Sequence, residues 1–189
     1  MIKKYNKKLI GFLVLIVFII SLVTALYFLT PEEIVDALGI RNAYLLAFVI
    51  AFFGGFSAFG SFAFISTIAT LSIGGLNPII LGLVAGISLA IGDGIMFYLG
   101  SKGRELVIGK WKKKLDKVSH WTKRKAGKAI PLIAYLYIGL TPFPNDLIII
   151  FLAMIKYPIK KLYAPIVLGD ITFALLVSIF AAKSLLIFV

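Results

Sequence analysis

The sequence predicts an all-α integral membrane protein: an inverted repeat with two opposed re-entrant helical hairpins, about three full spans and two interfacial amphipathic helices. Three observations lead there. Of 189 residues, 61% are hydrophobic and only 15% charged, mean hydropathy is +1.05, and several apolar runs approach the roughly 20 residues that cross hydrocarbon about 30 Å thick. The apolar run 135–152 is interrupted at its middle by TPFPND. Pro142 and Pro144 lack a backbone donor and obstruct a helix, so the chain must break where lipid offers no hydrogen bonds, and such a break needs protein or a watery cavity around it. Finally, one order of elements occurs twice: surface helix, broken apolar hairpin, span with a Gly-Asp pair.

Charge and composition narrow the function classes. The net charge is +12, but 11 of the 20 basic residues fall within 102–128 and others flank apolar runs. That is the distribution of cytoplasmic loops and of contact with anionic headgroups, so membrane lipids are the expected partner and nucleic acid is not. With no cysteine and one histidine, neither disulfides nor a protein metal centre is expected, and no cofactor is implied. No nucleophile and base pair stands out, so the chain does not read as an enzyme.

The elements follow in order. Four lysines in MIKKYNKK precede the uncharged run 9–29, which reads as a retained span because no small-residue cleavage site follows it. Residues 1–30 are thus an anchor helix with its N-terminus in the cytoplasm, and 31–189 the main membrane domain, with halves 31–101 and 102–189. Thr30-Pro31-Glu32-Glu33 starts a short helix to about Arg41, with Thr30 as N-cap and Ile34, Leu38 and Ile40 on its apolar side. It should lie on the outer surface.

Residues 43–73 contain GGFSAFGS, whose Gly54, Gly55, Ser57, Gly60 and Ser61 support no straight span. Because the N-terminus and the basic loop share a side, 43–73 must double back as a hairpin kinked there. Asn77-Pro78 starts the next span, in which Gly82, Gly86, Ala90 and Gly94 recur every fourth residue as one close-packing face. Asp93 lies inside this span and should point into the bundle. Within 102–128, Val107, Trp111, Leu115 and Val118 form an apolar stripe, predicting a helix over about 105–125 at the cytoplasmic headgroups, with His120 on its surface.

The second hairpin is 130–157, with TPFPND at its tip. Asp146 and Asn145 fit two compatible roles there, as N-caps of a helix over 147–155 and as polar contacts for a headgroup or proton. The last span, from Leu162 to about Ala182, carries Gly169-Asp170. Asp93, Asn145, Asp146 and Asp170, with Pro142 and Pro144, are the candidate substrate-path and coupling residues; no catalytic residue is assigned.

IGDGIMFYLGSKGRE, a basic loop and then YLYIGLTPFPNDLIIIFLAMIKYPIKKLYAPIVLGDI together resemble the DedA/VTT-domain family, also called SNARE-associated Golgi proteins. The resemblance covers about 43–189. It implies paired re-entrant hairpins and movement of lipids between leaflets, by scrambling or by return of polyprenyl-phosphate carriers. The chain departs from DedA proteins in lacking an acidic residue at the first hairpin tip and arginines around the second-hairpin proline. Three functions follow as expectations: a lipid flippase or scramblase in the plasma membrane, an ion-coupled small-solute transporter using Asp93 and Asp170, or a membrane scaffold. A homo-oligomer is compatible with each.

Overall fold

The computed structural model describes residues 30–54, 58–125 and 127–188. The anchor span expected at 9–29 lies outside the described residues, as do Gly55 and Ser57. All regular structure among the described residues is helical: α1 (Pro31–Leu38), α2 (Ile40–Gly54), α3 (Ala58–Ile73), α4 (Pro78–Glu105), α5 (Gly109–Lys125), α6 (Ile130–Leu140), α7 (Asn145–Met154) and α8 (Ile159–Phe188). By length and composition α4 and the Ile159–Ser184 part of α8 can cross a membrane, and α1 with α2 would make a third span if the bend between them were ignored. The chain is a helical membrane protein.

Thr30 caps α1 as its sequence demands. Its hydroxyl accepts from the Glu33 N–H at 3.3 Å while Glu33 Oε2 accepts from the Thr30 N–H at 2.8 Å, a reciprocal pair that satisfies two otherwise unpaired donors. The helix ends at Leu38, short of the expected Arg41. Gly39, at φ 74, donates its N–H to Val35 O, and the chain turns by 104° into α2. Arg41 therefore belongs to α2. Leu38 packs against the core as expected, but Ile40 is 68% exposed, and the most buried residue of α1 is Val35, beside Gly74.

Two long antiparallel helices, α4 and α8, make the centre. Asn77 Oδ1 caps α4 by accepting from Ile79 and Ile80 N–H. The small-residue series then divides. A Cβ on Gly82 would come within 2.8 Å of Leu175 Cα and one on Gly86 within 2.5 Å of Ile171 Cα, whereas one on Gly94 would meet nothing within 4 Å. The expectation of one continuous packing face is corrected: the helices touch backbone to backbone along half of it and then splay. Ser178 Oγ donates to Pro78 O at 2.8 Å, and Ser72 Oγ donates to Ser178 O at 2.6 Å; these bonds hold the tight end together where no water can.

The other helices pair symmetrically around this centre. α2 packs on α4 and α6 on α8, whereas α3 packs on α8 and α7 on α4. Each half thus sets its first arm against its own long helix and its second arm against the other's. Ala43, Ala47 and Ala51 are fully buried at fourfold spacing on α2, and Ser88 Oγ donates to Phe48 O at 2.6 Å across the α2–α4 contact. The core divides in two, one cluster centred on Phe64, Ile68 and Leu89 and one on Ile138, Ile149 and Phe97.

Other sequence-derived boundaries shift too. The basic helix begins at Gly109, not Glu105, because α4 runs on to Glu105 and Gly109, at φ 64, redirects the chain; Val107 of the expected stripe precedes the helix. α7 starts at Asn145, two residues before the expected Leu147. α8 continues to Phe188 past Ala182, since Lys183 is exposed and LLIF keeps helical propensity.

Candidate functional site

A polar cluster lies in the seam between the two cores. On α4, Leu89, Asp93 and Phe97 follow one another every fourth residue, and on α8 Ile166, Asp170 and Ala174 do the same. In each triplet one outer residue belongs to one core and the other to the second core. Helical periodicity therefore forces both carboxylates inward at the boundary, where both are fully buried. They lie close enough to share one hydrogen-bond partner.

Asn145 joins them. Its Nδ2 donates to Asp170 Oδ1 at 2.9 Å and to Asp93 Oδ2 at 3.3 Å, and the residue is only 7% exposed. Asp93 Oδ1 and Asp170 Oδ2 are buried and have no hydrogen-bond partner among the described residues. Among the described residues, neither carboxylate takes part in a salt bridge. Two acids so deep in an apolar bundle demand a compensating positive charge, a proton or a bound cation, because burying unpaired anions costs several kcal/mol each.

The break between α6 and α7 delivers the amide to this place. Thr141 ends α6 in extended backbone, its hydroxyl donating to Tyr137 O at 2.6 Å. The Tyr137 ring stacks on Phe143 with centroids 6.5 Å apart, and its hydroxyl donates to Pro144 O at 3.4 Å. Pro144 then occupies the N-cap position of α7, with no side-chain cap. The expected capping role of Asn145 and Asp146 is thus corrected: both lie within the first turn, and Asn145 spends its amide on the carboxylates. Asp146 is half-buried and outside the hydrogen-bonded cluster, in the first turn where the helix dipole favours an anion.

Residues of the two broken segments share one small cavity. Gly54 and Ser61 from the first and Pro142, Phe143 and Asn145 from the second line a space of about 10 Å³, room for roughly a single water. Gly54 and Gly60 let α2 and α3 approach closely: a Cβ on Gly60 would fall 2.7 Å from Phe53 O and 3.1 Å from Gly54 Cα. Of the residues singled out from sequence, Asp93, Asn145 and Asp170 form the cluster, while Gly54, Ser61 and Pro142 line the adjoining cavity. Pro144 sets the α7 start, and Asp146 stands beside it.

Sequence reasoning did not find that one amide bridges both acids. The signal present was that each of two apolar spans carries one carboxylate, and two buried acids need donors. It also missed Arg104, which is 3% exposed and pairs with Asp116 of α5. Together with Ser119 Oγ donating to Ile155 O and Tyr157 Oη donating to Gly127 O at 2.6 Å, this ion pair fastens the basic helix to the bundle. Burial pushes the Tyr157 phenol above its ordinary pKa. His120 is exposed, as expected. No protein-family model, curated protein or solved structure matches the chain.

Proposed function

We propose that the protein moves lipid headgroups between the leaflets of the membrane, as a flippase or scramblase, along a polar route that opens between two re-entrant hairpins. The observation that carries this reading is Asn145, which ties the tip of one broken hairpin to both buried carboxylates beside residues of the other broken segment. Support for opposed hairpins comes from the exchanged packing of α2, α3, α6 and α7 on the two long helices, an arrangement that matches the inverted repeats of transporters with sites at mid-membrane. The cavity between the tips is too small for a headgroup, so the described conformation is a closed one.

On this reading the chain resides in the plasma membrane with its N-terminus and the 102–128 segment in the cytoplasm. The exposed Leu106, Ile108 and Trp111, among lysines, then rest on anionic headgroups. The resemblance to DedA/VTT-domain proteins points the same way, toward phospholipids or polyprenyl-phosphate carriers as substrates. Reconstitution into vesicles holding a fluorescent lipid tests the proposal. Wild-type protein is expected to accelerate loss of fluorescence when an impermeant quencher is added outside, and Asn145→Ala is expected to slow it; rates equal to those of empty vesicles would end it.

The carboxylate pair favours a second reading, cation-coupled transport of a small solute. An imposed proton or sodium gradient would then drive solute uptake that Asp93→Asn abolishes. Lipid exchange needs no gradient, so the two assays separate the readings.

A further inference from the structure

Where α4 and α8 splay, a groove opens on the outside of the bundle. We propose that it holds one acyl chain of an anionic glycerophospholipid, with the phosphate at the basic end of the two helices. The groove has a volume of about 400 Å³ and is walled by Ile87, Ile91, Ile95 and Val167, floored by Ala90 and Gly94, and ended by Tyr98 and Tyr163.

Its dimensions select the occupant. From Ile87 to Tyr98, at about 1.5 Å per residue, α4 rises about 16 Å, close to half of a hydrocarbon core about 30 Å thick. Spread over that length, about 400 Å³ gives a cross-section of about 25 Å². A groove of that length and section accommodates an extended hydrocarbon chain of one leaflet.

Its polar end selects the headgroup. Tyr98 and Tyr163 are 60% and 69% exposed, and amphipathic rings of this kind sit at headgroup depth. One turn farther out on the same faces, Lys102 follows Tyr98 by four residues and Lys160 precedes Tyr163 by three, so both ammonium groups flank the mouth. Lys102 shares its charge with Glu105 at 3.5 Å, which leaves Lys160 the stronger attraction for a phosphate-bearing lipid with net negative charge. This inference does not rest on the transport reading; it requires only that α4 and α8 cross the membrane.

The test uses the full chain in nanodiscs doped with diazirine-tailed phosphatidylglycerol or, separately, phosphatidylcholine with the same tail, adducts being mapped by peptide mass spectrometry. Adducts are expected on 87–98 and 163–167, with phosphatidylglycerol exceeding phosphatidylcholine by about fivefold, the scale of one lysine's attraction to an anionic lipid. Gly94→Leu fills the floor, where nothing lies within 4 Å of a new Cβ, and is expected to remove these adducts while sparing those on Phe180, which is exposed elsewhere on α8. Lys160→Gln should keep the adducts and erase the preference between the two lipids. Equal labelling by both lipids in the wild type, unchanged labelling in Gly94→Leu, or protection of the groove by a second copy seen on chemical cross-linking would each overturn the proposal.

Discussion

Asn145 joins the two buried acids, because its one amide group donates to both carboxylates. Asn145→Ala removes hydrogen bonds to charged or partly charged groups, each worth about 1.5–3 kcal/mol. Unfolding in detergent followed by circular dichroism should show a loss on the order of 3 kcal/mol or more. A second change discriminates a specific bridge from generic packing. Asp93→Asn places a new amide beside Asp170, so Asn145→Ala/Asp93→Asn is expected to be more stable than Asn145→Ala alone, and an additive loss in the double variant would argue against the bridge. The acids themselves were legible from sequence, since an ionisable group within a span must face inward. Their partner was not, because TPFPND reads locally as a helix cap, and only tertiary placement shows Asn145 reaching across to α4 and α8.

Among the elements, the α4–α8 pair shows how one sequence pattern can serve two ends. The series Gly82, Gly86, Ala90, Gly94 looks uniform, yet the contact differs along it. Gly86→Ala sets a methyl 2.5 Å from Ile171 Cα, and forcing long helices apart costs about 1–3 kcal/mol. Gly94→Ala meets open space and gains up to about 1 kcal/mol of helix propensity. Thermal unfolding of the two variants should therefore shift in opposite directions. The basic helix α5 offers a further case. Its amphipathic character was legible from its apolar spacing, whereas the Arg104–Asp116 pair that holds it was not, since Arg104 looked like one more charge in a basic run. Asp116→Ala leaves a nearly buried guanidinium unpaired, and hydrogen exchange across 109–125 is expected to speed up while that of α4 stays slow up to its last turns.

For the whole molecule, two cores meet at a polar seam, and this arrangement sets the motion that transport would require. Both long helices contribute to both apolar clusters, so motion along the seam must work against its own contacts, Asn145 to both acids and the close approach of the two broken segments, and against the tight α4–α8 contact at Gly82 and Gly86. The two described long helices and the breaks were legible because prolines, glycines and charges are costly in lipid. The exchanged packing and the closed state between the tips were not, since they are properties of how halves dock. A headgroup cannot pass a space of about 10 Å³, so the tips must part during any exchange between them. The chain has no cysteine, which makes Ser61→Cys/Phe143→Cys a clean pair at positions lining the same cavity. Oxidation or a short bifunctional maleimide is expected to link the pair and to stop lipid exchange, with reduction of the oxidised form restoring it. If the linked protein exchanges lipid at the unlinked rate, the headgroup travels by some other surface, and the seam serves only to hold the halves together.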